Sequence, residues 1–170
     1  MRPQKKKATD LAVMACLMTM EIILTRLFSI ETPLFRLSFG FLPMALLSIL
    51  YGPLWGGFTY AACDLLGVML LPKGTPFPGF TLTAFLTGFT YGAILHKKTI
   101  TWKRVLAAAL IVGIFYNLAL DTVWLFILTG NAVNVIVPVR LARVAITIPL
   151  QTVLITFVWD RCSSIVRRLG

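Results

Sequence analysis

Arg140, Arg143, Thr147 and Gln151 follow one another at steps of three, four and four, a spacing that puts all four on one face of a helix. Asn117, Asp121 and Trp124 repeat the pattern, as do Tyr60, Asp64 and Gly67, and Thr83, Thr87 and Tyr91. Guanidinium groups grip carboxylates through paired N–H donors. A buried aspartate does the converse and accepts paired donors, such as those of an aminopyrimidine ring. Trp124, Phe39, Phe41 and Phe77 offer flat faces for a heterocycle. The chemistry within reach of this set is recognition of a ligand with an acidic end and a flat, nitrogen-bearing end. A small anion alone would not call for the aromatics.

Catalytic and metal chemistry find less support. The single histidine, His96, adjoins Lys97 and reads as an interfacial residue rather than a metal ligand. Cys16, Cys63 and Cys162 are scattered at no zinc spacing. The sequence contains no phosphate loop of the G-x-x-x-x-G-K type, and no serine, histidine and aspartate set assembles around His96. The expectation is a binding protein with no catalytic residue, no metal and no cofactor.

The elements that must hold these stripes follow from composition. The chain has 170 residues, of which 58% are hydrophobic and 13% charged, with a mean hydropathy of +0.88. Soluble domains run at about 45–50% apolar and about 25% charged. At about 20 residues per bilayer crossing, the length suits five or six spanning helices with short loops. It does not suit a spanning region joined to a sizeable soluble catalytic domain. Three cysteines, an odd number, argue against a disulfide scaffold. The run Leu11–Ile30 carries Glu21 and Arg26 and lacks a small-residue cleavage pattern, so it reads as a retained helix rather than a signal peptide.

Six helices are expected, at about Asp10–Ser29, Leu42–Tyr51, Leu54–Leu71, Phe80–His96, Thr101–Thr129 and Val139–Val166. The second, stopped by Gly52-Pro53, is too short to cross alone and needs protein around its ends. Eleven of the sixteen basic residues fall into three clusters. They are Arg2, Lys5, Lys6 and Lys7, then Lys97, Lys98, Lys103 and Arg104, and finally Arg161, Arg167 and Arg168. An even helix count with the N-terminus inside puts all three on the cytoplasmic face, in accord with the positive-inside bias. The reading is an all-α, polytopic membrane protein with six transmembrane helices and both termini cytoplasmic. It is one domain over 1–170, with basic inner segments at 1–9, 97–103 and 161–170 and outer loops at 30–41 and 72–79. Anchoring to anionic headgroups accounts for the net charge of +10, so no nucleic-acid partner is expected.

Arg26, Arg36, Lys73, Arg140 and Arg143 remain, and by this topology all lie in the outer half or an outer loop, against the bias. Ionisable groups in a span are costly and face a cavity or a partner. One reading pairs them internally with Glu21, Glu31, Asp64 and Asp121. The other makes them an outward-facing anion site, with Arg26 and Arg140 as receivers of ligand carboxylates. Interhelical hydrogen bonds that merely hold the bundle together could also account for the polar stripes.

Three stretches carry a resemblance. The segments Arg36-Leu-Ser-Phe-Gly-Phe-Leu-Pro43, Pro78-Gly-Phe-Thr-Leu-Thr-Ala84 and Leu120-Asp-Thr-Val-Trp-Leu125 resemble motifs of the folate-specific substrate-binding components of energy-coupling factor transporters. The likeness runs from Leu11 to about Thr156, with Asp121 standing where asparagine is usual in that family. It implies a membrane-embedded vitamin receptor that captures folate at the outer face. The receptor would deliver its ligand with a transmembrane coupling protein and two ABC-type ATPases, the whole component toppling in the bilayer. The pteridine is expected deep among the helices and the glutamate tail nearer the outside. Carried over, the resemblance implies substrate contacts at Arg26, Phe41, Asp64, Asp121, Trp124 and Arg140, with Arg36 and Arg143 beside them and Phe39 and Phe77 as covering groups.

Relatives meet the coupling protein through small residues spaced four apart on the first helix. Here Ala15 is followed by Thr19, and Ala8, Ala12 and Cys16 supply neighbouring small pairs. The implied location is the bacterial plasma membrane. Two alternatives stay open: a component of the same kind for another vitamin, and a small membrane enzyme or assembly factor.

Overall fold

The computed structural model of the chain describes residues 3–32, 35–70, 77–130 and 133–169, by backbone alone at 3–7, 30–32, 35–37, 129, 133–136 and 162–169. Six helices carry the fold. Helix α1 spans Pro3–Arg26, after which the Leu27 amide still bonds the Ile23 carbonyl and closes the last turn. The segment expected as a plain loop holds a short antiparallel hairpin, β1 (Ile30–Thr32) and β2 (Phe35–Leu37), with Glu31 in register opposite Arg36. Helices α2 (Phe41–Tyr51), α3 (Pro53–Leu70) and α4 (Pro78–Leu95) follow.

Helix α5 runs from Trp102 to Thr129 with a change of winding that the sequence pattern did not disclose. It is α-helical over Trp102–Ile111, π-helical over Val112–Leu120 and α-helical again over Asp121–Thr129. Gly130, in the left-handed region at φ 65°, caps it through an N–H bond to the Phe126 carbonyl. Helix α6 spans Val133–Leu169 and starts before Pro138 rather than after it, with Pro149 also inside. Prolines of this kind are tolerated in membrane helices because neighbours re-satisfy the freed backbone groups.

Among the described residues, three stretches are long and apolar enough to cross a membrane: Ala8–Arg26, Trp102–Leu128 and Val137–Arg161. Helices α3 and α4, at 18 residues each, reach about 27 Å. Helix α2, with 11 residues, reaches about 16 Å and survives because protein surrounds it. Phe41, Met44, Ala45, Leu47, Ser48 and Ile49 are all buried, on several sides of this helix. Large apolar side chains elsewhere, such as Leu65, Met69, Phe115, Val153 and Phe157, point outward, as expected where lipid is the solvent.

Lipid is as apolar as leucine, so close packing rather than escape from water must bind these helices together. Helices α3 and α4 approach nearest, where Gly56 and Gly57 meet Gly88. A Cβ on Gly88 would collide with the Gly56 backbone. A core of Phe41, Ala45, Ile49, Tyr91, Leu95, Val105, Ala108, Val112 and Ile155 joins α2, α4, α5 and α6.

Cross-contacts fix which ends lie together. The Tyr51 hydroxyl donates to the Asp10 carbonyl at 3.2 Å, and His96 Nδ1 meets the Ile49 carbonyl at 2.8 Å. The His96 ring lies over Gly52, whose φ of 92° suits only glycine in the tight α2–α3 turn. The start of α1, the α2–α3 turn and the α4–α5 turn therefore share one end, where Lys97, Lys98, Lys103 and Arg104 are exposed. The ends of α1, α3 and α5 and the starts of α4 and α6 share the other.

Candidate functional site

Polar side chains gather at that second end in two clusters. In the first, Arg26 from the last turn of α1 reaches α3. Its Nη2 lies 3.8 Å from Asp64 Oδ1 and donates to the Asp64 carbonyl at 3.4 Å. Asp64 Oδ2 accepts Thr81 Oγ1 of α4 at 2.9 Å. Gly67 makes room for the guanidinium, since a Cβ there would sit 2.6 Å from Arg26 Nε. One helical turn earlier on α1, the Thr25 hydroxyl donates to the buried Glu21 carboxylate at 2.8 Å. Arg26 is only 2% exposed, and a charge so placed persists only with a partner and additional hydrogen bonds.

The second cluster joins α4, α5 and α6. Arg140 Nη1 lies 3.3 Å from Asp121 Oδ2 and donates to the Asn117 carbonyl at 2.6 Å. The π winding prepares this acceptor. The Asp121 amide donates to Tyr116, five residues back, so Asn117 is relieved of the donor that α winding would supply. Trp124 Nε1 donates to Thr83 Oγ1 at 3.2 Å, and Thr83 in turn donates to the Gly79 carbonyl, which holds the indole in one orientation. Phe77 lies against Trp124 with ring centroids 5.6 Å apart and planes tilted by 49°. Gly79 sits against both rings. A charged pair and an aromatic pair are thereby presented side by side from adjacent helices.

The structure brings Asp121, Trp124, Phe77 and Arg140 together, and separately Arg26 with Asp64. Arg143 is half-buried near enough to Asp121 to act on its charge. Phe41 is part of the apolar core, while Phe39, 6.5 Å from it between centroids, is exposed. Arg36 is placed in β2 by its backbone, and Lys73 lies outside the described residues. Arg26 and Arg140, expected to receive ligand carboxylates, each lie beside an aspartate of this chain. Helical periodicity singles out neither Thr81 nor the Asn117 carbonyl, both of which the structure places in these clusters. Thr81 lies off the Thr83, Thr87 and Tyr91 face, and a backbone acceptor created by π winding leaves no mark in residue types.

Away from this end, Tyr91 donates to Gln151 at 3.0 Å, and Thr90 and Tyr116 share a hydrogen bond of 2.9 Å. These contacts tie the bundle together. On α1, Ala8, Ala12, Ala15, Cys16 and Thr19 are all exposed, with the Thr19 hydroxyl folded back onto the Ala15 carbonyl at 2.8 Å.

The family model for the ECF transporter, substrate-specific component, matches residues 9–159. The chain belongs to this family. It is 44% identical to a folate transporter FolT of Clostridium novyi (strain NT) over 154 residues, 91% of this chain and 90% of the relative. It is 32% identical over 130 residues to a folate transporter FolT of Leuconostoc mesenteroides subsp. mesenteroides, covering 75% of this chain and 69% of the relative. A crystal structure of FolT bound with folic acid shares the fold at a TM-score of 0.85 and 35% identity, over 89% of this chain and 92% of that one. The helical membrane architecture expected from the apolar runs is that of a substrate-specific component, with β1 and β2 between its first two helices.

Proposed function

We propose that the chain is a membrane-embedded folate receptor that takes its ligand at the outer face. It would deliver folate across the bacterial plasma membrane with a transmembrane coupling protein and two ABC-type ATPases. It has no catalytic role in this reading, and ATP hydrolysis belongs to the ATPases. The observation that carries the proposal is the joint presence of the Asp121–Arg140 pair and the Phe77–Trp124 pair at one end of a bundle similar to FolT bound with folic acid. Charge and aromatic faces suit the two ends of folate, and neither suits a purely lipid-facing bundle.

In this reading the Tyr51 end is cytoplasmic, with 1–9, 97–103 and 161–170 inside and 30–41 and 72–79 outside. The exposed Lys97, Lys98, Lys103 and Arg104 support that orientation. Asp121, Trp124, Arg140 and Phe77 hold the pteridine, with Arg143 beside them and Phe39 and Phe41 toward the hairpin. Arg36 supplies positive charge for the glutamate tail. Arg26 and Asp64 brace α1 against α3 beneath it.

Titration of the purified protein with folic acid, thiamine and riboflavin tests the proposal. Saturable binding of folic acid with little response to the other two is expected. Comparable weak binding of all three would remove the folate assignment and leave a receptor for another vitamin. Turnover of a lipid or peptide by the isolated chain would instead point to an enzyme.

A further inference from the structure

Asp121 and Arg140 meet through one contact rather than a two-pronged fork. Nη1 and Oδ2 are 3.3 Å apart, and the same Nη1 holds the Asn117 carbonyl. Asp121 is 7% exposed and Arg140 is 4% exposed. Yet among the described residues neither Asp121 Oδ1 nor Arg140 Nε has a hydrogen-bond partner, and Thr147 Oγ1, two turns further along the Arg140 face of α6, has none either. A fork through Nε and Nη2 would satisfy Nε and Oδ1 together, but it would turn Nη1 away from the Asn117 carbonyl. Buried polar atoms are seldom left this way, and an explanation is required of each. One acceptor and one donor are left unsatisfied in the same ion pair, close to the aromatic pair.

We infer that Asp121 and Arg140 together read a cyclic-amide edge, an N–H beside a C=O, and so select 4-oxopteridines over 4-aminopteridines. This rests on the folate reading and adds the specificity of its ring site. Asp121 Oδ1 accepts the ring N3–H, and Arg140 Nε donates to the C4 carbonyl. Replacing that carbonyl by an amino group reverses both partners. The ring N3 then turns a lone pair toward the carboxylate, and the new amino group turns its hydrogens toward the guanidinium. Two attractive contacts become two repulsive ones, and a site built to hydrogen-bond one edge discriminates strongly against its inverse. The Asn117 carbonyl opposes any swing of the guanidinium that would relieve the mismatch.

The test compares folic acid with aminopterin, which differs at this one ring position, by calorimetric titration of the full chain in detergent. Aminopterin is expected to bind at least about 100-fold more weakly. Asp121→Asn, whose amide can present either a donor or an acceptor, should weaken folic acid and narrow the ratio to about tenfold or less. Arg140→Gln, with an acceptor available for the 4-amino group, should narrow it as well. Melting curves of both variants establish that they are folded. Equal or tighter binding of aminopterin by the unaltered chain overturns the inference while leaving the folate reading intact. A folded Asp121→Asn protein that keeps the full ratio overturns it too. Failure of the unaltered chain to bind folic acid removes the folate reading, and the inference with it.

Discussion

The Asn117 carbonyl accepts the Arg140 guanidinium at 2.6 Å because α5 loosens its winding just before Asp121. A regular α-helix would spend that carbonyl on the Asp121 amide. The π stretch therefore does two things at once. It offers α6 a backbone acceptor within the membrane interior, and it sets Asp121 beside the side chain so captured. The Asn117 side chain also turns back along the helix, its Nδ2 donating to the Val112 carbonyl at 3.3 Å. The local irregularity is satisfied by neighbouring groups, as non-α backbone at membrane depth must be.

Arg140→Lys tests this arrangement. A lysine keeps the charge but not the planar fork, and one ammonium on a flexible stem does not hold Asn117 and Asp121 in fixed geometry. Folic acid affinity is expected to fall about tenfold or more, corresponding to about 1.5–3 kcal/mol for a charged hydrogen bond. Calorimetric titration reads the change. An unaltered affinity would show that charge alone suffices at this position.

A different outcome is expected at Arg26. Removing one partner of a buried ion pair leaves an uncompensated charge and costs about 3–5 kcal/mol, whereas apolar replacement of both partners is often tolerated. Arg26→Ala should lower the melting temperature markedly. The double variant Arg26→Met/Asp64→Leu should recover most of that loss and still bind folic acid. If the double variant is stable but binds nothing, the pair touches the ligand rather than bracing α1 on α3.

Gly79 offers a steric test of the aromatic pair. A Cβ at this position would stand 2.5 Å from both Phe77 and Trp124. Gly79→Ala must therefore push the rings off their present positions or shift the start of α4. Weaker folic acid binding is expected, together with a changed Trp124 emission, while far-ultraviolet circular dichroism stays unchanged. Loss of helical signal would mean instead that the glycine serves the fold.

Much of this architecture was legible because membrane constraints are severe. Runs of apolar residues, the Gly52-Pro53 break and three basic clusters suffice for six helices, since only closed hydrogen-bond ladders survive in lipid. Steps of three and four set Asp121 and Trp124 on one stretch of α5, and the structure gives each a partner from a neighbouring helix, Arg140 and Thr83. The pairing of Arg26 with Asp64 was present only as an alternative to a ligand-facing role. Which of two carboxylates a guanidinium meets, the chain's own or a ligand's, depends on interhelical distance rather than on spacing along one helix. The π winding, too, leaves no period of its own in the residue types. A single sequence read for periodicity treats Val112–Leu120 as ordinary helix.

The exposed small-residue face of α1 gives the sharpest separation between binding and transport. Ala8, Ala12, Ala15, Cys16 and Thr19 are all exposed, and within α1 burial among the described side chains is confined to Met14, Glu21 and Arg26. In the proposed function this face meets the coupling protein, and small side chains there permit close helix approach. Ala12→Trp would fill the approach without touching Arg140, Asp121 or Trp124, which lie at the opposite end of the bundle. Folic acid binding by the purified variant should match the unaltered chain. Uptake of labelled folate by proteoliposomes containing the complete complex and ATP should fall by about tenfold or more, the loss expected when a central interface contact worth about 2 kcal/mol is blocked. If uptake persists at full rate, the coupling protein docks elsewhere. Binding and uptake falling together would place α1 in the folding of the receptor rather than at its interface.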